Sequence, residues 1–227
     1  MKFLALPLIL SCFCLSSFSQ TQKVKWGVKG GMAFTKFTNR EGPGYTNYEK
    51  LKPSVFIGGT ATFALNPSIS FQPGLLFVFK GGKGSFDTGP GPLQVYGTQK
   101  VNITYLEVPI NLLYTIPNSK GAFFFGGGTY YALGIDAYMG VDFTMDGDKS
   151  SFTDANFGFG KPQYNEDTGM KGGLKRSDFG VNLLTGYRFN NGLGFNLGYG
   201  VGILNISQME EARFRNRILS LGVGFDF

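Results

Sequence analysis

Apolar residues recur at every second position through most of this chain. In the last stretch Leu219, Leu221, Val223, Phe225 and Phe227 share one parity, and Ser220, Gly222, Gly224 and Asp226 share the other. Period-two alternation marks a β-strand with one apolar and one polar face. The same pattern predicts seven more strands. The first, about 24–35, sets Val24, Trp26, Val28, Met32 and Phe34 against Lys25, Gly27, Lys29, Gly31 and Ala33. The second, about 54–65, carries Val55, Ile57, Ala61, Phe63 and Leu65 on its apolar face, with Phe56 out of pattern. The third, about 69–80, sets Ile69, Phe71, Leu75, Phe77 and Phe79 against Ser70, Gln72, Gly74 and Lys80. Pro73 inside it predicts a bulge or a lost ladder bond. The fourth, about 99–116, sets Leu106, Val108, Ile110, Leu112 and Tyr114 against Tyr105, Glu107, Pro109 and Asn111. Strands at about 122–135, 177–189 and 193–203 follow the same rule.

The connections sort into two kinds. Tight turns fall near 66–68, 117–120 and 190–192; long polar connections fall near 36–52, 81–98, 136–176 and 205–215. Short and long alternate without exception. That order predicts an all-β fold: an eight-stranded antiparallel up-and-down transmembrane β-barrel, with short periplasmic turns and long extracellular loops. Both termini then lie on the periplasmic side. Parts of 136–176 are expected to extend strands above the membrane. On the apolar parity near the short-turn end stand Trp26, Phe63, Phe71, Tyr114, Phe123, Phe189, Phe195 and Phe225, one from each strand. Rings at one depth predict an interfacial girdle. A soluble edge strand would carry a charge or a proline, and the last strand instead ends on an aromatic. Phe225 and Phe227 are therefore read as a C-terminal signal for the barrel-assembly machinery. A soluble barrel filled by the apolar parity is the competing reading, and a polar inside with an apolar outside disfavours it.

Composition adds to this picture. The chain holds 35 glycines, 24 phenylalanines and 11 tyrosines, and no uncharged apolar run reaches the length of a membrane helix. Residues 1–19 have a short positive start, an apolar middle and small residues before the expected cut, which predicts a cleaved secretory signal and a single barrel domain over 20–227. Cys12 and Cys14 both fall in that segment, so the mature chain would have no thiol. There is no histidine, which removes the usual general base and metal ligand. No enzyme activity, cofactor or metal is expected. Asp142, Asp146, Asp148 and Asp154 lack the spacing of a calcium loop, and Glu166-Asp167 has no nucleophile to serve. The net charge of +6 is scattered, with no nucleic-acid motif. Inward parity collects Lys25, Lys29, Lys80, Glu107, Asp178, Arg188 and Asp226. Charges there must be paired or wet, and an internal cluster of Glu107 with one or more of Arg188, Lys25 and Lys29 is expected.

Tyr105-Leu106-Glu107-Val108-Pro109-Ile110-Asn111-Leu112-Leu113-Tyr114 resembles the Tyr-Leu-Glu-Ile-Pro stretch of the PorT-like family of outer-membrane β-barrels. Trp26-Gly27-Val28-Lys29-Gly30-Gly31, Phe71-Gln72-Pro73-Gly74-Leu75, Ser177-Asp178-Phe179-Gly180 and the terminal Gly222-Val223-Gly224-Phe225-Asp226-Phe227 are similar to that family as well. The resemblance covers nearly all of the mature chain. It implies a barrel in the Gram-negative outer membrane. The family's founding member is tied to a secretion machinery and its virulence cargo.

Two functions remain from these readings. One is a non-enzymatic barrel whose exposed loops bind an envelope or extracellular protein, display a surface, or serve envelope and secretion assembly. The other is a narrow pore for ions or small solutes, which inward Gly194, Gly198, Gly200, Gly202, Gly222 and Gly224 keep open unless they only relieve crowding. Outer-membrane lipid is a partner in either case.

Overall fold

The computed structural model describes residues 24–38, 47–87, 95–145, 148–154, 157–161, 163–165, 169–208 and 213–227. The leading segment 1–19, the turn signal Gly42-Pro43-Gly44, and the acidic residues Asp146, Glu166 and Asp167 lie outside them.

The strands are β1 (Lys25–Thr38), β2 (Asn47–Lys50), β3 (Lys52–Ala64), β4 (Ile69–Asp87), β5 (Val95–Asn118), β6 (Gly121–Met145), β7 (Asp148–Asp154), β8 (Phe157–Phe159), β9 (Gln163–Asn165), β10 (Gly169–Leu174), β11 (Ser177–Phe189), β12 (Leu193–Gly202) and β13 (Arg215–Asp226). Eight of them close a ring in the order β1, β3, β4, β5, β6, β11, β12, β13, every neighbour antiparallel. The seam between first and last strand runs from Gly27 opposite Asp226 to Thr38 opposite Arg215. A closed antiparallel ring leaves no strand edge, which is what a spanning sheet requires.

Alternation decides the faces. On the outside, Trp26 is 59% exposed and Leu183 67%, and Leu221, Val223, Phe195, Phe125, Ile110 and Leu75 are exposed with them. A continuous apolar surface of this extent far exceeds what a soluble monomer shows, and lipid is its medium. Inside, Phe56 explains its break in the pattern. It is buried with Ala33, Leu76 and Val78, and Ile218 packs against them. At Pro73 the β3–β4 ladder skips from Thr60–Gly74 to Phe63–Phe71 and resumes in unchanged register, so bonds are lost without a bulge.

Above the membrane one expectation holds and one is corrected. β6 runs on through 136–145, as expected for part of 136–176, while 81–87 and 95–98, assigned to a loop, are strand: β4, β5 and β6 run on together, β7 folds back along β6, and β2 pairs with β4. Above the lipid the polarity inverts in β6: Asp136 and Asp142 are exposed on the outside, while Ala137 and Val141 are buried within. A β-bulge lies between Thr104 and Tyr105, with Tyr105 opposite Gly134 and Thr104 opposite Asp136. Ile135 is left over, so parity flips. Before it Leu133 and Ile135 face out; after it Tyr138 faces out while Ala137 and Val141 are buried. A small sheet of β8, β10 and β9 completes the extracellular part.

The Asn190-Asn191-Gly192 signal forms the β11–β12 hairpin, with Gly192 at φ 91°, a conformation that favours glycine.

Val223, opposite Gly30 near mid-height of the seam, faces lipid. Val223→Arg is expected to cost about 2–4 kcal/mol in urea unfolding from lipid vesicles. Val223→Leu serves as the near-neutral control.

Candidate functional site: a sealed lumen

The inward faces of five staves meet at one ion cluster. Lys80 of β4 is fully buried. Its Nζ lies 2.7 Å from Glu107 Oε2 on β5 and 3.1 Å from Asp178 Oδ2 on β11. It also stands 4.0 Å from the ring centroid of Tyr130 on β6 and 5.2 Å from that of Tyr105. Asp178 Oδ2 accepts two further hydrogen bonds, from Tyr130 Oη at 3.3 Å and from Asn216 Nδ2 of β13 at 2.9 Å. A dry interior tolerates charge only when it is matched and solvated by such dipoles. Aromatic faces against the ammonium add to that solvation.

Directly above, toward the extracellular end, the lumen is greasy. Phe37, Val101, Ile103, Tyr105, Tyr130, Ala132, Ala137, Leu174, Ile206 and Phe214 form one buried cluster. Phe37 stacks on Phe214 with ring centroids 5.5 Å apart. Leu174 and Ile206 come from the extracellular connections, held together by Lys175 N donating to Ile206 O at 2.8 Å. The loops thus stopper the barrel.

Below the cluster the lumen is polar and loosely filled. A cavity of about 80 Å³ is bordered by Lys29, Glu107, Asn111, Asn182, Asn196 and Ser220. A smaller one of about 40 Å³ shares Lys29 and Asn196 and reaches Arg188 and Asp226. Volumes of that size hold a few waters, and the unpartnered Oδ1 atoms of Asn111 and Asn182 offer them acceptors.

The expected cluster of Glu107 with Arg188, Lys25 and Lys29 is therefore corrected. Glu107 faces the lumen, but its cation is Lys80. Arg188 pairs instead with Asp226, Nε to Oδ2 2.6 Å, near the periplasmic mouth. Lys25 is exposed at that mouth, beside Arg188, Asp226 and Phe227. Lys29 lies between the two pairs and is part of neither. The stagger between neighbouring strands sets these heights, and parity alone carries no height. Lys80 was legible as an inward cation; its partners required the ring.

Of the inward glycines singled out above, Gly222 is the seat of a ring, since a side chain there would strike Phe56; at Gly198 it would meet Ser220 and at Gly200 Ile218. Two further inward glycines also face rings: a side chain at Gly186 would strike Phe124 and one at Gly180 Tyr130.

The predicted girdle residues all lie on the outward parity toward the short-turn end. Trp26, Tyr114, Phe123, Phe189, Phe195 and Phe225 are exposed, and Phe63 and Phe71 are half-buried against each other at 6.2 Å. Tyr187, outside the predicted girdle set, links Phe123 and Phe189 at 4.6 and 4.9 Å. Phe225 and the 71%-exposed Phe227 end the last stave. Asp142 is taken up by Lys100 at 2.8 Å. Among the described residues no group of acidic side chains is placed to hold a metal.

The sequence matches the outer membrane protein β-barrel domain family over residues 18–208. No curated protein matches it. Among solved structures, neisserial surface protein A is 13% identical, with 89% of this chain and 97% of that chain covered and a TM-score of 0.42. Ail, the attachment invasion locus protein of Yersinia pestis, is 13% identical, with 90% and 99% covered and a TM-score of 0.37. The outer membrane protease OmpT of Escherichia coli is 11% identical, with 93% and 99% covered and a TM-score of 0.34. Likeness at this level carries no activity across.

Lys80→Met leaves Glu107 and Asp178 buried without their cation and is expected to destabilise the barrel by about 3–5 kcal/mol. The triple variant Lys80→Met, Glu107→Gln, Asp178→Asn should regain most of that loss. Urea unfolding of the refolded proteins measures both, and a triple variant no better than the single would show that the charges are not what the cluster balances.

Proposed function

This chain belongs to the outer membrane protein β-barrel domain family, and on that premise we propose that it is a non-conducting, non-enzymatic scaffold of the Gram-negative outer membrane that presents its extracellular strands to another protein. The observation that carries this reading is the double closure of the lumen. The Lys80 cluster spans it, and the apolar stopper of Phe37, Ile103, Leu174, Ile206 and Phe214 lies on top. Solute passage would require a buried ion cluster and a packed core to open together. Meanwhile β4, β5, β6 and β7 stand well above the apolar band and bear exposed Tyr96 and Tyr138. A rigid sheet tip of this kind suits protein docking.

No catalytic step enters the proposal. Glu107 and Asp178 are tied to Lys80, and the chain offers no histidine to work with them. The PorT-like resemblance favours a partner within envelope or secretion assembly. Residues 1–19 serve as a cleaved export signal in this reading. Phe225 and Phe227, outward and exposed on the closing stave, are the handle for the barrel-assembly machinery. The eight-residue aromatic girdle fixes the barrel's depth at the periplasmic interface.

Planar bilayers holding the refolded protein should show no unitary current steps; steady steps would overturn the scaffold reading in favour of the pore. Shortening the β4–β5 and β6–β7 tips should abolish capture of an envelope or extracellular protein while leaving a folded, heat-modifiable barrel. Removing Phe227 should lower the assembled fraction in cells several-fold and leave in vitro refolding unchanged.

A further inference from the structure

The geometry points to a binding site for a phosphate group of an outer-leaflet lipid on the outer face of the β1–β13 seam, built by Lys36, Arg217 and Arg215. Along this seam the outward rows climb through Val28 and Phe225, Met32 and Leu221, and Phe34 and Leu219. The next outward row sets Lys36 directly opposite Arg217, and the one after it sets Thr38 opposite Arg215. The change from hydrocarbon to cation is therefore abrupt. From Trp26 to Phe34 the strand measures about 27 Å at the usual rise. Its tilt of about 40° reduces this to roughly 20 Å along the membrane normal, close to the ~25 Å apolar band of such barrels. Lys36 and Arg217 thus stand where acyl chains end and headgroups begin.

Like charges directly opposite in an antiparallel pair repel and destabilise it. Among the described residues no carboxylate forms an ion pair with Lys36, Arg215 or Arg217, whereas Lys100, elsewhere above the band, has Asp142 at 2.8 Å. Arg217 is nevertheless held in place. Its Nε donates to Thr38 Oγ1 at 2.6 Å and its Nη1 to Tyr199 Oη at 3.1 Å. Both acceptors are neutral, so they orient the guanidinium without cancelling its charge. Tyr199 is 42% exposed and brings its ring to the same boundary. An oriented guanidinium beside an ammonium suits a phosphate oxyanion. The apolar rows below suit the acyl chains that such a phosphate carries. A soluble anion would have no use for that second half, which selects the lipid as occupant.

The test uses the full refolded barrel in phosphatidylcholine vesicles carrying a small fraction of bisphosphorylated lipid A, followed by native mass spectrometry of the retained lipid. Wild type should keep lipid A in preference to phosphatidylcholine. Lys36→Gln with Arg217→Gln should reduce that retention roughly tenfold or more, the change equivalent to losing a charge-assisted hydrogen bond. Lys120→Gln, in the periplasmic turn, should not. Arg215→Gln, at an exposed side chain, gives a partial loss and serves if the double variant does not refold. Equal retention of dephosphorylated lipid A, equal retention by the substituted proteins, or displacement by excess inorganic phosphate alone would each overturn the assignment.

Discussion

Every backbone polar group in hydrocarbon must find its partner within the protein, and the seam between β1 and β13 is where this chain meets that demand. Without those pairs, Gly27 through Thr38 and Arg215 through Asp226 would each present a bare ladder edge to lipid. With them, the sheet has no edge, and each stave then has a wall facing lipid and a wall facing a confined interior. The remaining features are ways of filling that interior and of matching the wall to its surroundings.

The interior is narrow, and the chain fills it with a few large groups set against small ones. Phe124 and Tyr130 lie over Gly186 and Gly180, their partners on the neighbouring strand, and Phe56 lies over Gly222, so these inner glycines make room for rings in a closed barrel. Charge is distributed by height. A lysine with two carboxylates spans the upper part, and an arginine with one carboxylate sits near the periplasmic mouth. Between them stands Lys29, bordering both cavities. These three cations and three carboxylates offset one another along the buried part of the lumen.

The exterior is graded in the same direction. Aromatic rings crowd the short-turn end, aliphatic side chains and phenylalanine fill the middle, and at the seam Lys36 and Arg217 follow Phe34 and Leu219. Above that level the outer face turns polar and the bulge at Ile135 exchanges the two faces of β6. The strands themselves do not stop there, because the backbone continues to pair whatever its side chains meet.

Sequence alone determined the number of staves, the alternation of short and long connections, and the face of nearly every spanning residue. The reason is that a strand's period of two is a property of the backbone, and lipid on one side sorts residues by polarity at each step. Lys80, Glu107, Asp178 and Arg188 could therefore be placed inside from parity. Their partnerships were decided only by the tertiary structure. Height in a barrel accumulates from the stagger of each strand against its neighbour, and no single strand records it. That is why Glu107 meets Lys80 and Arg188 meets Asp226. The extension of β4 and β5 over 81–87 and 95–98 was hidden for a different reason: glycine and polar residues dominate both segments, so too few apolar side chains remain to mark a period of two.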